Sequence, residues 1–574
     1  MTFDNLRTTA RHRKFCVTWT AVLLLLCCSG NCVAVEPQLS ADRLFEPHHL
    51  VDVKITVPKA DWDTIRVQTR NFVEALSRDL PKSPFTYVKA DIEIDGVLIQ
   101  NVGLRKKGFL GSLNDERPSL KIKFDKYEQQ SPIAGLDRLT LNNNHQDASR
   151  LSQYMGYRFF NASGTFASRC NLAKVTVNGT YLGLYSNVES IKEPMLQRGF
   201  GDGSGALFEG TVVDFYEDFV EKFEQKNKVA ESEPIRQISK VLAQENVDVE
   251  KLNTLIDVDA FVKFWATESL LGFWDGYNND QNNFFCYQSP ANSKFYFIPW
   301  GADALFTETM PIPPYVIFPQ FVYSRALLPN KLYRIPQIQK QYHETLNQLL
   351  DEHWKEEELI AELDHMEALL KDSVREDNAK FAGAVNSIRR FIKSRRGRLM
   401  KEMESGPVQL KSLARRPAYM KEVGRVIASF ETKWYDQLPE DSKQLGQAQL
   451  VVELDGERVE LSQLGVYAEH SKWPPVPEGT PKPPAIVFVG TRKSNGNDFI
   501  VGMGLPIEKF HPTKGKTVEI GGIIIDGPFG APGSKTTMLS GTATFEKAGM
   551  NDGAMVIGRV KLTASELKDG EPKK

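Results

Sequence analysis

The sequence predicts an α+β protein in two parts: strands and helices alternate from Val51 to about Glu404, and short strands alone follow. Three observations carry this. The stretches "VDVKITV" and "KADIEIDGVLIQNVGLRKKGF" alternate apolar and polar residues with the period of a half-buried strand. "DVDAFVKFWATESLLGFW" instead sets Val258, Phe261 and Trp265 on a wide helical face. After Gly406, "QAQLVVELDGERVEL", "AIVFVG", "TVEIGGIIIDG", "GTATFE" and "MVIGRVKLT" are separated by Gly, Pro and charged turns, the pattern of a small sandwich or barrel. With 574 residues, several domains are expected: a leader over 1–34, an α/β domain over 35–405, a linker region over 406–440, a β-rich domain over 441–566 and a tail over 567–574.

The N-terminus is basic in "RHRKF", apolar in "VTWTAVLLLLCC" and small in "CVA", the order of a secretory signal peptide cut after Ala34. Export, to the medium or the cell envelope, is the resulting expectation. No later apolar run reaches bilayer length, so no transmembrane span is expected in the mature chain. Of the 6 cysteines, Cys16, Cys27, Cys28 and Cys32 lie in the leader. Cys170 and Cys286 remain, without a CxxC or Cys/His cluster, so no zinc signature or disulfide framework is present; whether the two pair stays open. A net charge of −2 excludes a general nucleic-acid binder, which needs a basic surface.

Along the α/β part, Asp-Gly in "EIDGVLI" and Asn178-Gly179 in "CNLAKVTVNGTYLGLYSNVESI" mark hairpin turns. "SLKIKFDKY" reads as another strand, and "ASRLSQYMGYRFFNAS" places Leu151, Tyr154, Met155 and Phe159 on one helical face. The tract from about Ile335 to Glu404 is helical. Its basic end, "SIRRFIKSRRGRLMKEM", is expected on a solvated face with charges suited to a helix C-terminus. "SKWPPVPEGTPKPP" reads as a proline-rich loop.

The chemistry concentrates in "GFWDGYNNDQNNFFCY", where Asp275 and Asn283 flank a turn before the strand "KFYFIPW", which delivers Asp303. Hard oxygen ligands from a loop and from the next strand's end suit Mg²⁺ held partly by phosphates. Upstream, "KKGFLGS" offers Gly108 and Gly111 for close backbone approach to phosphates, with Ser112 and Lys106 or Lys107 nearby. Lys121 and Lys123, two apart on one strand, share a face from which an ammonium reaches phosphate oxygens. Glu189, ending "GLYSNVE", is placed to pair with such a lysine. These features together fit the holding of a nucleoside triphosphate with a divalent cation. Ordinary turns and exposed lysines are the plainer reading of each one alone.

In order and spacing, "LRKKGFLGS", "RPSLKIKFDKY", "LDRLTLNNNHQDASRLSQYMGYRFF", "VTVNGTYLGLYSNVE", "LLGFWDGYNNDQNNFFCY" and "KFYFIPWGADALF" resemble the spore-coat-protein-H (CotH) kinase-like family. The resemblance covers about Val51 to Phe306 and leaves the C-terminal strands outside. It implies an atypical, secreted protein-kinase-like domain using ATP and Mg²⁺ (or Mn²⁺) to phosphorylate Ser or Thr of a protein substrate. It implies Lys121 as the nucleotide-contacting lysine, Asp275 as the catalytic-loop aspartate and Asn283 as the metal-holding amide. Asn143, Asp147 and Arg150 match a motif that supports the cleft.

One departure bears on activity. The family's Trp-Asp-x-Asp reads Trp300, Gly301, Ala302, Asp303 here, so the first carboxylate is missing. In extended geometry Asp303 would project to the same side as position 301 and supply the charge instead. Gly301→Asp is then expected to raise activity. Asn282 also stands where the family commonly has His. The alternative is a pseudokinase that serves as a nucleotide- or protein-binding, surface-assembly protein. A carboxylate-pair hydrolase has only the presence of acids behind it.

Overall fold

A computed structural model describes residues 39–227, 232–308, 320–375, 378–410, 412–438, 445–471, 482–528 and 534–570. The expected leader and most of the proline-rich loop lie outside these residues.

Strands β1 (Leu50–Thr56), β2 (Val88–Ile94), β3 (Val97–Lys107), β4 (Ser119–Lys123), β5 (Arg138–Asn142), β6 (Cys170–Val177) and β7 (Thr180–Val188) close a barrel in the order β1-β2-β3-β4-β5-β7-β6. All pairs are antiparallel except β1 with β6, which closes the barrel in parallel. The alternation read from the sequence decides the faces: Ala90, Ile92 and Ile94 of β2 point inward and their neighbours outward. Asp95-Gly96 and Asn178-Gly179 both take positive φ at both positions, the turn whose twist matches the flanking strands.

A second sheet holds β8 (Ala206–Gly210), β9 (Glu224–Gln225), β10 (Phe284–Gln288) and β11 (Phe295–Pro299), in the order β11-β10-β8-β9. The helix Val258–Leu271 packs on it through Phe261, whose ring lies 4.8 Å from that of Phe297. Asp257 caps its N-terminus by accepting from the Ala260 amide, and Gly272 ends it at φ 65°. Helices Pro336–Glu352, Glu356–Leu370 and Asn378–Glu404 complete this part. Cys170 and Cys286 are both buried, free thiols. No helix among the described residues is long and apolar enough to cross a membrane.

The basic helix end departs from expectation at one residue. Arg395 is fully buried and donates to Leu270 O at 3.0 Å, Gln320 Oε1 at 2.9 Å and Gln320 O at 3.0 Å. Carbonyls left free where the preceding helix ends supply the partners that a buried guanidinium requires. Its neighbours Arg389 and Arg396 do reach the surface, in ion pairs with Asp364 and Glu356.

Strands β12 (Arg416–Lys433), β13 (Gln447–Leu454), β14 (Glu457–Arg458), β15 (Leu461–His470), β16 (Pro484–Arg492), β17 (Asp498–Gly504), β18 (Val518–Asp526), β19 (Lys535–Ala548) and β20 (Met555–Gly570) form an antiparallel sheet in the order β14-β13-β12-β20-β19-β18-β17-β16-β15. Bridges Trp434–Ala468 and Gly446–Val466 bring its two ends together around Val426, Phe430, Phe488, Val501, Phe545 and Leu562. Much of the expected linker is therefore strand. β12 pairs with β13 and β20, and it buries Val426, Ala428 and Phe430 at a spacing of two. Likewise β20 runs through the start of the expected tail.

Candidate active site

The Asn-rich turn is a built structure. After Gly272 the chain turns into a short helix, Tyr277–Asp280, over the buried carboxyl of Glu268. Glu268 accepts from the Tyr277 amide at 3.3 Å, the Asn278 amide at 3.0 Å and Asn278 Nδ2 at 2.7 Å. Gly276 permits this approach, because a Cβ there would sit 2.6 Å from the Glu268 oxygen. Burial pushes Glu268 up to about 8, against the pull of those donors.

Asp275 projects from this turn. Its carboxylate accepts from Asn282 Nδ2 at 3.1 Å and Asn283 Nδ2 at 2.8 Å, and Asn283 also donates to the Asp275 carbonyl at 3.1 Å. Desolvation, then the Asp280 carboxylate and, more weakly, that of Asp303, push Asp275 well above the carboxylate range. The two amides oppose that rise and fix the side chain. Gln281 and Asn283 take φ 57° and 53°, the left-handed region that Asn tolerates better than most residues.

Asp303 arrives differently from the extended geometry expected of it. β11 stops at Pro299, Gly301 lies at φ 53°, and the Asp303 amide donates to Gly301 O at 2.8 Å. A tight turn, not strand alternation, aims Asp303. A Cβ on Gly301 would lie 2.5 Å from Asn283 Oδ1, so a carboxylate at 301 requires Asn283 to move. Among the described residues no other side chain donates to Asn283 Oδ1 or to the Asp303 carboxylate, whose hydrogen bond comes from its own backbone amide. Burial and then Asp147 raise Asp303 to about 6, while the hydrogen bond from its own amide and then Lys107 draw it back.

On the barrel side, Lys106 and Lys107 point apart, as successive strand residues must. Lys106 is fully buried on Asp115, at 2.7 Å. Lys107 donates to Asn142 Oδ1, lies 5.6 Å from the Trp300 ring centroid and faces Asp303; burial lowers it to about 8. Lys121 is held well below the lysine range by desolvation, then by Arg105, Arg138 and Lys107; only Glu209 draws it back.

The expected pairing of Lys121 with Glu189 does not form. The Glu189 carboxylate accepts from Arg169 at 2.8 Å and Arg198 at 2.5 Å, and also from the Arg169 amide at 3.1 Å. Its position at the end of β7 turns it toward those arginines. Glu209, on β8, is the acid in the surroundings of Lys121.

Gly108 has φ 139°, which only glycine adopts easily, and its carbonyl accepts from Arg70 Nε at 3.0 Å. Ser112 Oγ closes the loop on Phe109, accepting from its amide and donating to its carbonyl, both at 3.2 Å. That leaves Ser112 as loop architecture, a different role from the phosphate contact expected of its hydroxyl. The motif residues hold this loop in place. Asn143 Nδ2 donates to Ser112 O at 3.0 Å and Arg117 O at 2.8 Å. Asp147 caps the helix Ser152–Ala162 by accepting from the Ser152 amide at 2.9 Å, and Arg150 donates to Asp147 O at 2.7 Å.

Among the described residues, no three His, Cys, Asp or Glu side chains come together as a metal cage. The Asp303 carboxylate and Asn283 Oδ1, with Asp275 beside them, are instead a sparse hard-donor set of the kind that suits Mg²⁺ or Mn²⁺ completed by phosphates. A cavity of about 520 Å³ between the helices Ser152–Ala162 and Glu356–Leu370 is lined by Met155, Phe159, Cys170 and Leu359 and by none of these site residues.

Sequence reading missed Glu268, Lys107's face toward Asp303, and Glu209. For Glu268 a signal existed: a carboxylate inside the apolar run "FWATESLLGFW".

Residues 104–399 match the sequence model of the family described as CotH kinase protein. Among curated proteins the chain is similar to Invasin CotH2 of Rhizopus delemar, 24% identical over 210 residues, or 32% of this chain and 35% of that protein. It is also similar to Spore coat protein homolog 1 of the same organism, 22% identical over 221 residues, or 35% of this chain and 36% of that protein. Inner spore coat protein H of Bacillus subtilis is 24% identical over 196 residues, covering 31% of this chain and 52% of that protein. The matched stretches thus span about a third to a half of these relatives. With the family match covering just over half of its length, the chain belongs to the CotH kinase protein family.

Proposed function

We propose that the chain binds ATP with Mg²⁺ or Mn²⁺ through an atypical protein-kinase-like domain and transfers the γ-phosphoryl group to a Ser or Thr hydroxyl of an exported or surface protein. One observation carries this reading. The Asp303 carboxylate and Asn283 Oδ1, to which no other side chain donates among the described residues, stand beside an Asp275 clamped by Asn282 and Asn283, while Lys107 acts on both Asp303 and Lys121. A partly buried carboxylate with no donor beyond its own amide is costly unless something outside the chain completes it.

Asp303 and Asn283 would hold the ion, whose chemistry is to neutralise phosphate charge during transfer. Lys121 and Lys107 bind phosphate oxygens; burial among other cations makes an anion there favourable. The Gly108 loop lines the phosphates with backbone. Asp275, its proton affinity raised, takes the proton of the attacking hydroxyl. The strands β12–β20 form an all-β scaffold packed against this domain.

A second reading rests on Gly301, which removes a carboxylate: a pseudokinase that binds nucleotide or protein partners in surface assembly. Titration calorimetry with ATP, with and without Mg²⁺ or Mn²⁺, and radiolabelled-ATP transfer on wild type and Asp275→Ala separate the two. Metal-dependent binding with transfer lost in Asp275→Ala supports the kinase. Binding without transfer in wild type supports the second reading, and absence of metal-dependent nucleotide binding overturns the first.

A further inference from the structure

The turn that carries Asp275 and Asn283 is gripped by a residue beyond the family-matched stretch 104–399. Arg415 lies immediately before β12. Its guanidinium donates to Gln281 Oε1 at 3.1 Å and Asp280 O at 3.1 Å, and it pairs with the Asp280 carboxylate at 2.8 Å. In return Gln281 Nε2 donates to Arg415 O at 2.6 Å, and also to the buried Asp214 at 2.8 Å. The Arg415 amide donates to Arg325 O at 2.8 Å, and the Arg325 and Ala326 amides donate to Asn278 O. Next in sequence, Arg416 pairs with Asp218 and lies 4.5 Å from the Tyr216 ring centroid. The segment is thus anchored on several sides before it enters the sheet.

We infer that Arg415 is a positioning residue: it straps the 276–283 turn from outside, so that the C-terminal sheet sets the order of the loop bearing Asp275 and Asn283. Three features make the contact specific. It is two-pronged, as a guanidinium fork allows and an ammonium does not. Both partners are mostly shielded, at 18% and 17% side-chain exposure, so solvent screens the pair little. It also falls on Gln281, whose φ of 57° is unfavourable for a side-chain-bearing residue unless its surroundings hold it. Asn282 and Asn283, the two amides on Asp275, follow directly. The strap itself stands on geometry alone; its consequence for phosphoryl transfer rests on the nucleotide reading above.

Hydrogen–deuterium exchange of the full chain, without nucleotide, tests the strap. Arg415→Met is expected to speed exchange of peptides covering 276–284 by about tenfold while β1–β7 stay unchanged. Arg415→Lys, which keeps the charge but loses the fork, recovers less than half of the protection. Asp280→Asn weakens the same contact from the other side and gives the same local pattern. Unchanged exchange at 276–284, or a uniform rise over the whole chain, overturns the inference. The same proteins enter the transfer assay. If wild type transfers phosphate, Arg415→Met lowers kcat about tenfold with KM for ATP within about twofold. A loss that appears in KM alone overturns the positioning role. If wild type binds no nucleotide, the nucleotide reading falls and the exchange result still decides the strap.

Discussion

Two strand ends hold carboxylates that look interchangeable in the sequence and are opposites in the fold. At the end of β7, Glu189 is 2% exposed, and its carboxylate is filled by Arg169, Arg198 and a backbone amide. Past the end of β11, Asp303 is partly buried and takes a hydrogen bond from its own backbone amide, with no other side chain donating to it among the described residues. A shielded carboxylate with its donors in place is architecture. One held at about 6 with only its own amide to donate is kept at a cost, the pattern that clusters at functional sites. The difference separates a joint from a site without appeal to motif.

The largest expected effect tests the site end of this contrast. Asp275→Ala should lower phosphoryl transfer about a thousandfold, the worth of a positioned general base. Its melting temperature should stay near wild type, because removing a carboxyl that burial disfavours offsets the loss of its hydrogen bonds from Asn282 and Asn283. Transfer surviving in this variant would move the chemistry to another residue.

Glu189→Ala tests the joint. Removing the buried acid that Arg198, the Arg169 guanidinium and the Arg169 amide share should destabilise the fold by about 3 kcal/mol, read by urea unfolding, although Arg169 keeps its pair with Asp42. Activity per folded molecule should persist. A stable but inactive Glu189→Ala would make Glu189 a site residue after all.

Asp303→Asn should do the reverse, gaining stability and losing metal-dependent ATP binding. The folded value of about 6 lies above the ordinary 3.8, so the native state holds its proton more tightly than the unfolded chain between those values. Stability from this group therefore falls as pH rises through that window, and the cost is complete above it. Unfolding of the two proteins should coincide near pH 3, below both values, and differ by about 3 kcal/mol in favour of Asn at pH 7.5. A constant difference across pH would show that Asp303 does not titrate in this range.

The smallest effect concerns Gly301. Its Cβ-free, left-handed position against Asn283 reverses the gain expected from restoring a carboxylate. Gly301→Asp should cost about 1 kcal/mol in stability and weaken Mg²⁺-dependent ATP binding in calorimetry, because Asn283 must leave Asp275. Tighter binding would mean that the turn rearranges to accept a second acid.

Much of this was legible locally. Alternation in "KADIEIDGVLI" set the inward face of β2, Asp95-Gly96 and Asn178-Gly179 set hairpins, and the Asn-rich stretch marked Asp275 and Asn283. Each rests on residues within a few positions of one another. β12 was passed over because "KEVGRVIASFETK" follows a Pro-containing stretch whose breaks hid its alternation.

What the sequence by itself determined, then, was which stretches are strands, helices and turns over most of the chain, since backbone preference and periodicity act over a few residues. Only the tertiary structure decided that Glu189 belongs to Arg169 and Arg198, that Glu209 faces Lys121, that Arg395 is buried, and that Arg415 holds Asp280. Those assignments depend on which charges are brought together and shielded from water. Arg415 and Asp280, the clearest case, are far apart along the chain and meet only when β12 is laid against the α/β part. Their pairing energy depends on a distance and a degree of burial that no local pattern contains.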